Sequence, residues 1–100
     1  MKFADILNKF SIIGDSRVFC AELKRLSSEL GDIRLTKNQV EELCKFIASR
    51  LINRSDDCLN TSKMLCVEVI ENIDLVKIIF VDVEEVIVTD KVEFTIFYAE

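Results

Sequence analysis

The feature that most constrains this chain is the spacing of its apolar residues, which repeats at the period of an α-helix over most of its length. Residues 3–13 place apolar side chains at positions i, i+3, i+4 and i+7, namely Phe3, Ile6, Leu7 and Phe10. The same spacing recurs in four further stretches: 16–30, 37–53, 57–73 and 74–83. Because the chain has no Pro and only two Gly, little interrupts this pattern. The spacing therefore predicts an all-α fold.

The helical stretches group into two longer segments, 15–53 and 56–83, and each is typical of a pair of antiparallel amphipathic helices. Helix pairs of about 40 residues are typical of HEAT-type repeats. We therefore predict an α-solenoid in which residues 1–100 form a single HEAT-like domain, and the pattern leaves open a fragment of a longer solenoid. Such repeats bury a core only against their neighbours and bind other proteins through an extended surface.

The clearest start signal of a helix lies at Thr36. The sequence from Thr36 to Gln39 forms a capping box, in which the two side chains satisfy free backbone N–H groups reciprocally. Leu35 is placed to pack on Val40 across this helix start. Gly31, after the stretch 16–30, is predicted to end that helix in the left-handed conformation.

The last third of the chain fits two structures. Its β-branched and aromatic residues are concentrated in three runs, which on propensity alone could be strands: Ile78–Val83, Glu85–Thr89 and Val92–Tyr98. An α+β fold with C-terminal strands over 78–98 is therefore the alternative. Hairpin turns prefer Gly or Asn, which these runs lack, and Asp90 with Glu93 resembles a second capping box. We accordingly favour helices here.

Three aromatic residues near the end, Phe94, Phe97 and Tyr98, also have two interpretations. They pack the core of a last helix, or they form an exposed aromatic anchor for a partner. The periodicity favours core packing.

Composition predicts a chain without catalytic chemistry. There is no His to act as a base, and the 13 basic residues are scattered among 18 acidic ones, with a net charge of −5. No basic stripe favours direct binding to nucleic acid. We predict no enzyme activity and no catalytic, cofactor-binding or metal-binding residues. No signal peptide or membrane-spanning stretch is evident, so the sequence predicts a soluble intracellular protein without membrane attachment.

Four cysteines, Cys20, Cys44, Cys58 and Cys66, lack the spacing of a zinc site. Cys20, Cys44 and Cys66 lie in or beside apolar stripes, where a free thiol behaves as a small hydrophobic group. We therefore expect buried core cysteines and no cofactor.

The residues of the middle and end of the chain resemble one known family. The relevant positions are Arg17, Leu23, Leu26, Ser27 and Leu30, then Leu35-Thr36-x-x-Gln39-Val40-x-x-Leu43, Phe46 and Arg50-Leu51, and later Ile79-Phe80-x-x-Val83, Asp90 and Phe97-Tyr98. This pattern resembles the N-terminal HEAT-repeat region of the cytosolic iron–sulfur assembly adaptor, the methyl methanesulfonate-sensitivity protein family. The resemblance implies a cytoplasmic and nuclear adaptor that delivers iron–sulfur clusters to apo-proteins of DNA repair and replication. Its implied partners are iron–sulfur assembly factors and those client proteins, and it transfers no site residue.

Two other functions fit the same sequence. One is a generic HEAT-repeat fragment of transport or chromatin machinery. The other, tied to the α+β alternative, is a small self-associating regulator.

Overall fold

The computed structural model describes residues 2–14, 20–55 and 62–99, and the side chains of 2–13, 20–50 and 68–99. In chain order the elements are α1 (Phe3–Phe10), a 3₁₀ turn (Ser11–Gly14), α2 (Cys20–Leu30), β1 (Ile33–Leu35), α3 (Lys37–Ser55), β2 (Ser62–Glu71), β3 (Leu75–Glu84) and β4 (Ile87–Tyr98). The first half of the chain is thus mainly helical, and the second half is a sheet.

The predicted all-α solenoid is wrong, and with it the HEAT-repeat interpretation of this chain. The three helices lie where the periodicity placed them, except that residues 15–19, at the predicted start of α2, lie outside the described residues. The predicted helices over 57–73 and 74–83 are instead strands β2 and β3. The α+β alternative describes the fold correctly, although the C-terminal strands begin at Ser62 and not at residue 78, and a further strand lies at Ile33–Leu35.

The four strands form one sheet in the order β1-β4-β3-β2. Strands β2, β3 and β4 are joined as an antiparallel meander, and β1 adds to β4 in parallel, with Ile33 opposite Ile96. This order places β2 at one edge of the sheet and the three-residue β1 at the other.

The core lies between the helices and one face of the sheet. Alternate residues of β3 and β4 are buried on that face: Val76, Ile78, Phe80, Val92, Phe94, Ile96 and Tyr98. They join the apolar stripes of the helices in a single cluster. Phe94 lies at its centre, with ring centroids 5.0 Å from Phe10 and 5.9 Å from Phe80. The fold is therefore two layers packed over one core.

Strand formation in the second half follows from β-branched residues that alternate between two faces of the sheet. The first hairpin closes on an Asn, and the second closes without Gly or Asn. Between β2 and β3, the Asn72 side chain accepts hydrogen bonds from the backbone N–H groups of Asp74 and Leu75, at 2.9 and 3.0 Å. Between β3 and β4, Glu85 adopts the left-handed conformation with φ 57°. The missing turn residues therefore did not exclude strands.

The predicted helix signals at Gly31 and Thr36 are confirmed. Gly31 follows α2 with φ 63°, in the left-handed region. Thr36 N–H donates to Gln39 Oε1 at 3.0 Å, and Gln39 N–H donates to Thr36 Oγ1 at 3.2 Å. The second capping box, at Asp90 and Glu93, is wrong because both residues lie within β4.

Candidate functional site

β2 forms the longer of the two edges of the sheet. β2 has ten residues, and its described strand pairing is with β3 alone. β1, at the opposite edge, has three residues. Since an edge strand presents unpaired N–H and C=O groups to solvent, the long β2 edge can accept another strand.

Apolar side chains accompany this edge on both faces of the sheet. Val69, opposite Ile78, lies on the helix-covered face and is 49% exposed, while Ile70, opposite Lys77, lies on the other face and is 40% exposed. Glu68 and Glu71 flank this pair and are also exposed. Near the C-terminal end of β2, the edge therefore combines two exposed apolar residues with a carboxylate on either side.

A groove opens beside the edge, between α3 and the end of the sheet. Its volume is about 350 Å³, and its lining is Lys37, Val40, Glu41, Cys44, Val69, Glu71, Val76 and Tyr98. Tyr98 Oη donates a hydrogen bond to Glu71 Oε1 at 2.6 Å. This bond and partial burial raise the pKa of the Tyr98 phenol to about 12. The bond ties the end of β4 to the end of the edge strand.

The Cys44 thiol on the wall of the groove is not activated as a nucleophile. Burial, and then the negative charge of Glu71, raise the pKa of the Cys44 thiol above its ordinary value. The thiol is therefore protonated at neutral pH, and a protonated thiol is a poor nucleophile. Lys37, the one cation among the described lining residues, has its Nζ 5.5 Å from the centre of the Tyr98 ring, in a cation–π contact.

A second thiol, Cys20, lies at the start of α2 and is fully buried. Its backbone N–H donates to Asp82 Oδ2 at 2.8 Å, so a carboxylate of β3 caps the helix. Desolvation, reinforced by Asp82, raises the pKa of the Cys20 thiol to about 12. Cys20 therefore acts as a core residue, as the sequence predicted, and the structure adds the capping role of Asp82. Cys58 lies outside the described residues, and the side chain of Cys66 lies outside the described side chains.

The C-terminal aromatic residues lie on β4 and not on a helix. Phe94 and Tyr98 are buried against the helical layer. Phe97 is partly exposed on the opposite face, where Cζ of Arg34 lies 5.7 Å from the centre of its ring. Core packing is thus confirmed for Phe94 and Tyr98, although in a strand.

Other classes of site are not evident in the described part of the chain. Its Cys, Asp and Glu side chains do not gather in groups of three that could hold a metal ion. Its helices are all too short or too polar to cross a membrane.

No protein-family model, curated protein or solved structure matches this chain. The resemblance to the iron–sulfur adaptor family therefore has no support from these comparisons, and the helical repeats that would carry it are not what the chain forms.

Sequence reasoning missed the β2 edge as a site. The signal was present in the β-branched run that includes Val67, Val69 and Ile70. Whether such a strand is central or at an edge depends on tertiary pairing, which spacing along the chain does not encode.

Proposed function

We propose that this chain is a small non-catalytic protein that self-associates by pairing the outer edge of β2 with β2 of a second copy. The observation that carries the proposal is that, among the described strands, the ten-residue β2 pairs with β3 alone, and that Val69 and Ile70 on it are exposed. Strand addition at an open sheet edge is a common mode of protein recognition.

A second copy suits this edge because antiparallel pairing is compatible with a two-fold axis. The same strand then serves both partners, as in the isologous interfaces of most homodimers. The product is a continuous sheet of eight strands, two sets of four. Apolar residues on both faces of β2 become covered at the junction, which stabilises the pairing.

Charge makes this pairing sensitive to salt. Each copy has a net charge of −5, and Glu68 and Glu71 lie on either side of Val69 and Ile70 along the edge. Like charges across paired strands oppose association. Raising ionic strength from about 0.01 to 0.15 M shortens the screening length from roughly 30 to 8 Å, so self-association should tighten. A salt-dependent equilibrium of this kind suits a regulator.

The test is sedimentation velocity over a range of protein and salt concentrations, comparing the natural chain with Ile70→Lys. We expect a monomer–dimer equilibrium that tightens with salt and that Ile70→Lys weakens about tenfold or more, since it places a charge beside the paired strands. The matched control is Ile73→Lys, because Ile73 is 87% exposed in the turn after β2 and lies outside the paired edge.

Two results would contradict the proposal. One is a natural chain that stays monomeric at every concentration and salt. The other is equal dimerisation of the natural chain and Ile70→Lys, with both variants folded by circular dichroism.

Delivery of iron–sulfur clusters stays a prediction from the resemblance alone. The described residues offer no feature that favours it over self-association.

A further inference from the structure

Strand β2 has an irregularity near its middle. Its register with β3 shifts between Cys66 and Glu68, and Val67 between them has no partner among the described residues of β3. An extra residue of this kind is a β-bulge, which is over-represented at sheet edges and re-aims the side chains next to it. The bulge divides β2 into the halves 62–66 and 67–71.

The bulge changes which face of the sheet the second half of β2 presents. In a regular strand, residues separated by an odd number of positions lie on opposite faces. Lys63 and Ile70 are separated by seven positions, yet their partners on β3, Val83 and Lys77, are separated by six and share a face. Lys63 and Ile70 therefore both lie on the face that the helices do not cover, which we call the open face.

The positions at equal distance from the middle of β2 share a face in the same way, apart from the two central residues, which adjoin the bulge. The pairs are Ser62 with Glu71, Lys63 with Ile70, Met64 with Val69, and Leu65 with Glu68. Antiparallel pairing sets residues of the same face directly opposite each other. Full-length pairing of β2 with its own two-fold copy therefore matches the faces of these pairs, whereas a regular ten-residue strand paired in this way would match none.

We infer that β2 pairs with β2 of a second copy over its full length, in the register that sets Lys63 of each copy opposite Ile70 of the other. The inference rests on the proposed self-association and adds the register to it. A slip of one residue would set residues of opposite faces against each other. A slip of two would leave residues unpaired at one end of each strand. The bulge therefore makes the edge complementary to itself in a single full-length register.

Charge supports a second copy as the occupant of the edge. Glu68 is exposed and makes no ion pair with a described residue, and Ile70 is 40% exposed. In the full-length register, Lys63 lies opposite Ile70 of the second copy and diagonal to its Glu68, and diagonal neighbours are within reach of long side chains. The stem of a lysine covers apolar surface while its ammonium stays in water. One residue thus covers Ile70 and approaches Glu68, and the two-fold axis repeats the contact.

These charged contacts select the register and add little affinity, because exposed ion pairs contribute little. The net charge of −5 on each copy still opposes approach over longer distances, so the expected salt dependence is unchanged.

The test is rescue of Ile70→Lys by Lys63→Glu, measured by sedimentation velocity at one fixed salt concentration. Ile70→Lys sets its new charge against Lys63 of the second copy, and Lys63→Glu sets its new charge beside Glu68 of the second copy. Each single variant should therefore weaken the dimer roughly tenfold. The double variant sets opposite charges against each other twice. We expect its dissociation constant to return to within about threefold of the natural value.

The matched control is Ile70→Lys combined with Lys91→Glu, which has the same net charge as the rescued variant. Lys91 is exposed and lies opposite Val81 on the open face, but on β4, two strands away from the β2 edge. This control should dimerise as weakly as Ile70→Lys alone.

An equimolar mixture of the two single variants is a second measurement that needs no double substitution. Between unlike copies, the charge introduced by Ile70→Lys faces the charge introduced by Lys63→Glu. We therefore expect the heterodimer to be tighter than either homodimer. Circular dichroism confirms that each variant is folded.

The outcomes separate the register from self-association itself. If the natural chain dimerises and Ile70→Lys weakens the dimer, the register is wrong when Lys63→Glu restores no more than Lys91→Glu, or when the mixture forms no heterodimer. Self-association at β2 stands in both cases. If the natural chain stays monomeric at every concentration, self-association is wrong and the register falls with it. Rescue by Lys63→Glu alone, together with the heterodimer, supports the register.

Discussion

At the scale of single residues, the Tyr98 hydroxyl gives the most direct view of the site. It is the only Tyr of the chain, and the chain has no Trp, so phenolate absorbance reports on this group alone. Its pKa is raised to about 12, first by the hydrogen bond to Glu71. We expect the ultraviolet titration of the folded chain to have its midpoint near 12. Glu71→Gln should lower that midpoint toward the ordinary value of 10.0.

The raised pKa of Tyr98 also determines how the free energy of unfolding changes with pH. Between about pH 10 and 12 the unfolded chain loses the phenol proton while the folded chain keeps it, so unfolding becomes easier as pH rises. The contribution of the Tyr98–Glu71 hydrogen bond to the free energy of unfolding is fully present below pH 10 and is lost as the pH rises through 12. A midpoint near 10 in the natural folded chain would contradict the hydrogen bond at 2.6 Å.

Asp82 is the residue whose role is least visible in the sequence. It is buried and accepts the backbone N–H of Cys20, 62 positions away. Asp82→Ala should lower the free energy of unfolding by about 1–2 kcal/mol, since it leaves a helix N–H without its cap. Chemical denaturation measures this loss, and Asp32→Ala, at an exposed bend, is the control. Equal stability of the two variants would show that the cap contributes nothing.

At the scale of secondary-structure elements, the start of α3 is where sequence and structure agree best. Thr36→Ala removes the acceptor of the Gln39 N–H and should cost about 0.5–2 kcal/mol. Thermal melting checks this, with the exposed neighbour Asn38→Ala as a control that leaves the capping box intact. A melting temperature that falls no further for Thr36→Ala than for the control would refute the capping role.

In the turn between β3 and β4, we predict a substitution that stabilises the fold. Glu85→Gly should stabilise the fold by about 0.5–1 kcal/mol, because Gly adopts φ 57° without the clash of a Cβ atom. Denaturation by urea measures the gain. Glu84→Gly, at the neighbouring strand position, is the control and should destabilise. Loss of stability in both variants would contradict the left-handed turn.

The elements also show what the sequence could and could not predict. α3 was predictable because its start signal and its apolar stripe are both local. β2 was missed, and β3 was predicted as a strand only in the α+β alternative, because dense runs of Val, Ile and Leu satisfy helical and strand spacing alike. The turn at Glu85 carried no Gly or Asn to decide between them. The β2 edge and the Asp82 cap depend on contacts between distant parts of the chain, which periodicity does not report.

At the scale of the whole molecule, one aromatic ring joins the two layers. Phe94 is buried between Phe10 of the helical layer and Phe80 of the sheet. Phe94→Ala should destabilise by about 3–5 kcal/mol, a large part of the stability of a domain of this size. Phe97→Ala is the control on the open face of the sheet and should cost less, since Phe97 is only partly buried. Equal losses of unfolding free energy in the two variants, measured by denaturation, would contradict the central position of Phe94 in the core.

The parallel pairing of β1 with β4 has a consequence for synthesis on the ribosome. Leu35 lies opposite Tyr98, so a strand made early finds its partner only after more than sixty further residues have been added. Contacts of such long sequence separation slow folding and delay it until the late segment is available. The helices and β1 therefore leave the exit tunnel with their apolar faces uncovered. Nascent chains stopped before β4 should be the forms that chaperones hold and proteases remove.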